Sequence, residues 1–137
     1  MAKEEKVNSK PRPLSPHLQV YKPQLTSVLS ILHRITGAAN VVGLILFSAW
    51  VITLAHSQQA YEAFTEFMSG PMGQFLLIGW SFSVFYHMCN GIRHLVWDTG
   101  RLFTLKNAYR AGYVVVFSAF ALTTLFWLFI YRQQIGL

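Results

Sequence analysis

The chain is 137 residues long, 53% apolar and only 12% charged, whereas a soluble domain carries about 25% charged residues. This deficit predicts that lipid solvates much of the chain. The net charge of +6 does not indicate a nucleic-acid-binding protein, because the basic residues lie at the ends of apolar runs rather than in one patch with interleaved aromatic residues. The single cysteine, Cys89, excludes an internal disulfide and a cysteine-based metal site.

The first 24 residues are polar, basic and punctuated by prolines. Because proline interrupts helices, residues 1–24 are predicted to form an extended cytoplasmic segment that lies on the membrane surface or on a partner. They contain no apolar core of the kind that a secretory signal needs, and Glu4 and Glu5 are atypical of a mitochondrial transit peptide. We therefore expect a bacterial protein rather than an organellar precursor.

Three long runs of residues without formal charge follow. Each reaches the length of about 20 residues that crosses the hydrocarbon core of a bilayer. With their flanking turns, these runs predict a transmembrane domain at 25–137, with spans at about 28–56, 68–97 and 109–132. The predicted fold class is all-α, an integral membrane protein with three transmembrane helices.

The basic residues predict the orientation of the spans. Six of them precede or open the first span, none lies between the first two spans, four lie between the second and third, and only Arg132 follows the third. The positive-inside rule then places the N-terminus and the second loop in the cytoplasm, and the first loop and the C-terminus in the periplasm. For a bacterial protein, the membrane is then the inner, cytoplasmic membrane.

His87 is the main candidate for chemistry. It lies ten residues before Trp97, a residue suited to the inner interface, and therefore roughly 15 Å into the bilayer along a helix. A titratable side chain at that depth is costly and marks a candidate functional site, and neutral imidazole is a good axial ligand for haem iron. From the residues alone, a haem ligand and a histidine hydrogen-bonded between helices both remain open. Gly91, one turn further on, lets a flat group or another helix approach that face.

No other histidine is expected at the depth of His87. His17 lies in the extended segment, and His56 lies near the outer interface. His33 and His94 lie near the inner interface. A second axial ligand would therefore come from another chain, and three helices also enclose a planar macrocycle less well than four or more. We therefore expect the chain to be part of a larger helical bundle.

A second cluster, formed by Ser27, Ser30, His33 and Arg34, opens the first span. Spacings of three and four residues place Ser27, Ser30 and Arg34 on one helix face. Hydroxyl and guanidinium groups both donate to carbonyl oxygens, which suits a quinone at the aqueous edge of the membrane, where protons are available. The alternative is an interfacial cap in which Arg34 reaches lipid phosphates.

A third cluster of polar side chains lies at the inner end of the second span. It comprises Arg93, His94, Asp98 and Arg101. His94 follows His87 by two turns on the same face, so the propionates of a haem held by His87 would point toward His94, His33 and Arg34. Asp98 is spaced to orient His94 or the arginine one turn further on. The alternative is a solvated helix end whose charges only set the topology.

Two motifs stand about fifty residues apart in the chain. The first is Ser30-Ile-Leu-His33-Arg34-Ile-Thr-Gly37, and the second is His87-Met-Cys-Asn-Gly91-Ile-Arg93-His94-Leu-Val-Trp-Asp98. Together they resemble the cytochrome b556 membrane subunit of succinate dehydrogenase, respiratory complex II. The N-terminal run Arg12-Pro-Leu-Ser-Pro-His17-Leu-Gln-Val-Tyr21 resembles the segment before the first helix in the alphaproteobacterial and mitochondrial branch. The resemblance covers about residues 12–131.

The resemblance implies roles for particular residues and partners. It implies that His87 is an axial ligand of haem b, that His33 lies near the haem propionates, and that Ser30 and Arg34 bind ubiquinone. It also implies a second membrane-anchor subunit, which supplies the other axial histidine and shares the haem. An iron–sulfur subunit and a flavoprotein subunit would be held on the cytoplasmic face.

We therefore expect a membrane-anchor cytochrome b subunit of succinate:ubiquinone oxidoreductase, which passes electrons from succinate to quinone without chemistry on succinate in this chain. Two alternatives are an anchor of a fumarate-reducing quinol oxidoreductase and a haem-free structural anchor. A small transporter is less consistent with the sequence, because all five acidic residues lie outside the cores of the spans and no internal repeat is visible.

Overall fold

A computed structural model describes residues 21–135 of the chain. The extended segment predicted at 1–24 lies outside the described residues except for its last four, which are non-helical. The described part contains four helices and no strand. They are α1 (Leu25–His56), α2 (Gln58–Ser69), α3 (Pro71–Asp98) and α4 (Leu105–Ile135).

Helices α1, α3 and α4 are long and apolar enough to cross a membrane. They contain 32, 28 and 31 residues. At 1.5 Å per residue, each is longer than the hydrocarbon thickness of about 30 Å, so the helix ends extend into the headgroup region. The prediction of an all-α chain with three transmembrane helices is confirmed, although the helices begin and end a few residues away from the predicted spans.

The short helix α2 occupies a segment for which the sequence predicted only a polar connection. Its first turn is capped by Ser57, whose Oγ accepts a hydrogen bond from the backbone N–H of Ala60 at 3.1 Å. It ends before Pro71, which opens α3 at a position where the missing N–H needs no partner. With 12 residues, none of them buried, α2 is too short to span a bilayer. Its two acidic residues, Glu62 and Glu66, are exposed.

Helix α3 packs against both α1 and α4. The shared core is small and consists of Leu29, Tyr86, Val115 and Ala119. The hydroxyl of Tyr86 donates to the backbone O of Leu29 at 3.0 Å and joins α3 to α1. Most large apolar side chains of the described residues are exposed, which is the arrangement expected of a surface that faces lipid or other membrane helices rather than water.

Glycines permit the closest approaches between the helices. The indole ring of Trp80 in α3 occupies the place where a side chain at Gly43 in α1 would begin. At Gly112 in α4, a Cβ would lie 2.7 Å from Cδ1 of Leu29. Since membrane helices associate through close packing, these contacts fix how near α1 comes to its neighbours.

We predict that Gly43→Ala destabilises the bundle, because the added Cβ overlaps the ring of Trp80 and forces this ring or the two helices to shift. The expected loss is about 1–3 kcal/mol, the usual cost of overpacking, measured as a lower midpoint of thermal unfolding for the purified complex in detergent. Gly79→Ala in α3 is the matched control, since a Cβ there meets nothing within 4 Å. Equal midpoints for the two variants would contradict the close contact between Gly43 and the ring of Trp80.

Candidate functional site

The imidazole of His87 is held against α1 through one of its two nitrogens. Its Nδ1 lies 3.1 Å from the backbone O of His33 and 3.3 Å from Oγ1 of Thr36. A carbonyl oxygen can only accept a hydrogen bond, so Nδ1 carries the proton of the neutral ring and Nε2 carries the lone pair. A histidine fixed in this way presents Nε2 to a metal, as metal-ligating histidines commonly do.

Gly37 allows the ring of His87 to approach α1. A Cβ at position 37 would lie 3.2 Å from Cε1 and 3.7 Å from Nδ1 of His87. The shorter distance is less than ordinary van der Waals contact, so a side chain at this position would displace the ring. The absence of a side chain at Gly37 therefore makes the hydrogen bond to the His33 carbonyl possible.

Three histidines come together beside this contact. The ring of His33 stacks on that of His87, with 3.9 Å between the ring centroids and 9° between the planes. The ring of His94 lies 5.1 Å from that of His33. Nδ1 of His33 is buried and has no hydrogen-bond partner among the described residues. Such an atom is satisfied in a native assembly by a ligand, a water or a partner chain. The sequence predicted His87 and His94 on one face of the second span and no other histidine at the depth of His87. The ring of His33 departs from that prediction, because it lies directly against the ring of His87.

Arg93 departs from the sequence interpretation. The sequence counts it among the charges of the second loop, but only 3% of it is exposed and its neighbour Asn90 is fully buried. Nη1 of Arg93 donates to Oδ1 of Asn90 at 2.9 Å, and the guanidinium lies 4.1 Å above the ring centre of Trp97. Nδ2 of Asn90 lies 3.3 Å from Nε2 of His94. Asn90 therefore links the buried guanidinium to the histidine cluster.

Asp98 and Arg101 are both exposed at the end of α3 and in the loop that follows it. The sequence placed Asp98 where it could orient His94. In the described residues the polar contact to His94 comes from Asn90 instead. The helix spacing was compatible with either contact, and the buried Asn90 is the one that the packing of α3 brings into reach.

The predicted cluster of Ser27, Ser30 and Arg34 lies on the first turns of α1. Both serines are half-buried, and Arg34 is exposed. The Oγ of Ser30 donates to the backbone O of Thr26, one turn earlier, at 2.9 Å. To donate to a ligand, this hydroxyl must rotate away from its own helix, a small movement that a stronger acceptor can drive.

A comparison of the whole sequence with known families gives one match that covers most of the chain. Residues 8–126 match the family described as the succinate dehydrogenase/fumarate reductase transmembrane subunit. The chain belongs to this family. The match includes α1, α2, α3 and most of α4, so it covers the histidine cluster and the first turns of α1.

Curated relatives agree with this membership. The chain is 40% identical over 116 residues to the succinate dehydrogenase cytochrome b556 subunit of Rickettsia felis, covering 85% of this chain and 90% of that protein. It is 38% identical over 122 residues to the cytochrome b560 subunit of Reclinomonas americana, covering 85% of each chain. It is 34% identical over 119 residues to the cytochrome b556 subunit of Paracoccus denitrificans, covering 87% of this chain and 92% of that protein. The resemblance inferred from the motifs is confirmed.

The residues of α1 that hold the ring of His87 were not predicted from the sequence. Thr36 and Gly37 follow His33 by three and four residues, so they lie on the same face of α1. That spacing was a usable signal. What the sequence did not contain is the pairing of this face with the face of α3 that carries His87.

Proposed function

We propose that this chain is the membrane-anchor cytochrome b subunit of a succinate:ubiquinone oxidoreductase, in which it binds haem b and forms part of the ubiquinone site. The observation that carries the proposal is the state of His87. Its Nδ1 proton is held by the His33 carbonyl of α1, which leaves the Nε2 lone pair to bind iron. Membership of the family gives the enzyme class, and the relatives are named as cytochromes.

The residues around His87 fit a haem group. Neutral imidazole with a fixed tautomer is a common haem ligand, and the glycines at 37 and 91 keep side chains away from this part of the contact between α1 and α3. Bound there, haem b would supply a one-electron carrier within the membrane. His33, Arg34 and His94 would face its propionates, and the unpartnered Nδ1 of His33 is a donor or acceptor available for that contact.

This chain would supply only one of the two histidine ligands of the haem iron. The rings of His33 and His87 stack in parallel with 3.9 Å between their centroids, so of these two histidines only His87 would hold the haem iron. His56 lies at the far end of α1. We therefore assign the second axial ligand to a histidine of a second membrane-anchor subunit, with which this chain would share the haem and form a larger helical bundle.

Ser30 and Arg34, with Ser27 beside them, would contribute to the ubiquinone site. The serine hydroxyl and the guanidinium can each donate to a quinone carbonyl oxygen, and both donors strengthen as that oxygen gains negative charge on reduction. Arg34 is exposed at the start of α1, where water can deliver the protons that a reduced quinone takes up.

The positive-inside rule supports a single orientation in the bacterial inner membrane. The N-terminus and the loop between α3 and α4 would lie in the cytoplasm, and α2 and the C-terminus would lie on the periplasmic side. The iron–sulfur and flavoprotein subunits would dock on the cytoplasmic face. Succinate would be oxidised in the flavoprotein, and this chain would receive electrons at the quinone site.

The family also includes fumarate reductase subunits, so a second candidate is the anchor of an enzyme that oxidises quinol and reduces fumarate. Turnover measured in both directions on the purified complex separates the two. A purified, fully assembled complex without haem would favour a structural anchor over either.

We predict that His87→Ala in the co-expressed complex abolishes or strongly alters the reduced-minus-oxidised haem b spectrum, because it removes the Nε2 ligand. His56→Ala is the matched control, since His56 is exposed at the opposite end of the same bundle, and its spectrum should match that of the unmodified complex. An unchanged spectrum in His87→Ala membranes would show that the ligand assignment is wrong.

We predict that Ser30→Ala lowers quinone reduction by up to about tenfold, the value of one lost hydrogen bond of about 1.4 kcal/mol, while the haem spectrum is retained. The assay compares succinate-driven reduction of a short-chain ubiquinone with reduction of a soluble acceptor that takes electrons from the hydrophilic subunits. Ser48→Ala is the control, because Ser48 makes the same kind of bond to its own helix, to Leu44 O at 2.8 Å, at the other end of α1. Equal quinone reduction in the two variants would contradict the assignment of Ser30.

A further inference from the structure

Thr36 is the second group of α1 that contacts the ring of His87. It is 9% exposed, and its Oγ1 lies 3.3 Å from Nδ1 of His87. The same Oγ1 lies 2.9 Å from the backbone O of Leu32 and 3.0 Å from that of His33. This hydroxyl therefore lies between two carbonyl oxygens of α1 and the imidazole of His87 in α3.

The number of protons on each group determines which atom donates in each of these hydrogen bonds. The Thr36 hydroxyl has one proton, which it donates to one of the two carbonyl oxygens. Nδ1 of His87 keeps its own proton, because the His33 carbonyl at 3.1 Å can only accept. The remaining interaction between Thr36 and His87 is then donation from Nδ1 to Oγ1. The Nδ1 proton is thus shared between the His33 carbonyl and the Thr36 hydroxyl.

A neighbouring contact between the same two helices does not involve the imidazole. The hydroxyl of Ser83, one turn before His87 in α3, lies 3.1 Å from the backbone O of Thr36 and 2.8 Å from Oδ1 of Asn40. Ser83 therefore joins α3 to α1 at the same level but without touching Nδ1. It provides a way to separate the docking of the helices from the electronic effect on the ring.

We infer that Thr36 is a positioning residue for the haem ligand: its hydroxyl oxygen accepts the Nδ1 proton of His87 together with the His33 carbonyl, and so sets how strongly Nε2 donates to iron. The inference rests on the proposed binding of haem by His87. Acceptors on the distal nitrogen give a ligating imidazole more imidazolate character and raise its basicity. A more basic ligand stabilises ferric over ferrous iron, so Thr36 holds the haem reduction potential down.

The experiment is a redox titration of haem b in the purified complex carrying Thr36→Val, which removes the hydroxyl and keeps the branched shape. The expected result is an upward shift of the haem midpoint potential, with the haem content unchanged. Thr36→Ala removes the same hydroxyl without the branch and is expected to shift the potential in the same direction. Thr36→Ser keeps the hydroxyl and is expected to restore the original value.

Ser83→Ala is the matched control for a purely structural role. It removes the bond to the Thr36 backbone and leaves the Thr36 hydroxyl in place, so it is expected to lower thermal stability without moving the potential. Loss of haem from both Thr36→Val and Thr36→Ala, with haem retained in Thr36→Ser, would support the role of the hydroxyl. Loss of haem from Thr36→Ser as well would overturn it.

Two further outcomes would also overturn the inference: an unchanged potential in Thr36→Val, and an equal shift in Ser83→Ala. The His87→Ala complex, measured alongside, separates a failure of the proposed haem binding from a failure of the role of Thr36. If that complex keeps its haem spectrum, the proposed function fails. If it loses the spectrum while Thr36→Val keeps the original potential, only the role of Thr36 fails.

Discussion

Hydrocarbon offers no hydrogen bonds, so every polar side chain within a span must find its partner in protein. Most hydroxyls in α1 meet this constraint within their own helix, as Ser30 and Ser48 do by donating to carbonyl oxygens one turn earlier. Three side chains of α3 behave differently and reach α1. They are Tyr86 to Leu29 O, His87 to His33 O and Ser83 to Thr36 O. The docking of α1 on α3 therefore depends on backbone carbonyl oxygens that accept a second hydrogen bond.

This arrangement couples the position of α1 to the chemistry of His87. Helix α1 buries only Leu29, Thr36 and Gly43, so apolar packing alone would leave its register against α3 weakly defined. The contact that fixes the register at the level of Gly37 is the same contact that fixes the tautomer of His87. A change that moves α1 along α3 therefore also breaks the hydrogen bond that Nδ1 donates to the His33 carbonyl. The helix packing and the tautomer of His87 are thus maintained together.

The sequence could predict the features that depend on length and periodicity. Uninterrupted apolar runs predict the three spans, and helical spacing predicts that His87 and His94 share a face. It did not predict α2, although the Ser57 cap was a local signal for this helix. It could not predict the burial of Arg93, because that depends on tertiary packing around the end of α3. It also left His87 with two interpretations, a metal ligand or a histidine hydrogen-bonded between helices. The structure makes these compatible, since Nδ1 makes the interhelical bond and Nε2 keeps its lone pair. The roles of His87, His33 and His94 at haem, and those of Ser27, Ser30 and Arg34 at a quinone, stay predictions.

The unsatisfied polar atoms of the described residues indicate where this chain needs other groups. Toward the C-terminal end of α3 they are Nε and Nη2 of Arg93, Nε1 of Trp97 and Nδ1 of His33. Arg93 and His33 are connected through Asn90 and His94. A buried guanidinium that lacks an anion is among the most costly groups in a membrane. Elsewhere the unsatisfied atoms include the neutral indole nitrogens of Trp80 and Trp127, whose burial costs far less. The need for negative charge is therefore concentrated at the end of the bundle that holds Arg93, His33 and His94, the same end toward which the propionates of the proposed haem would point.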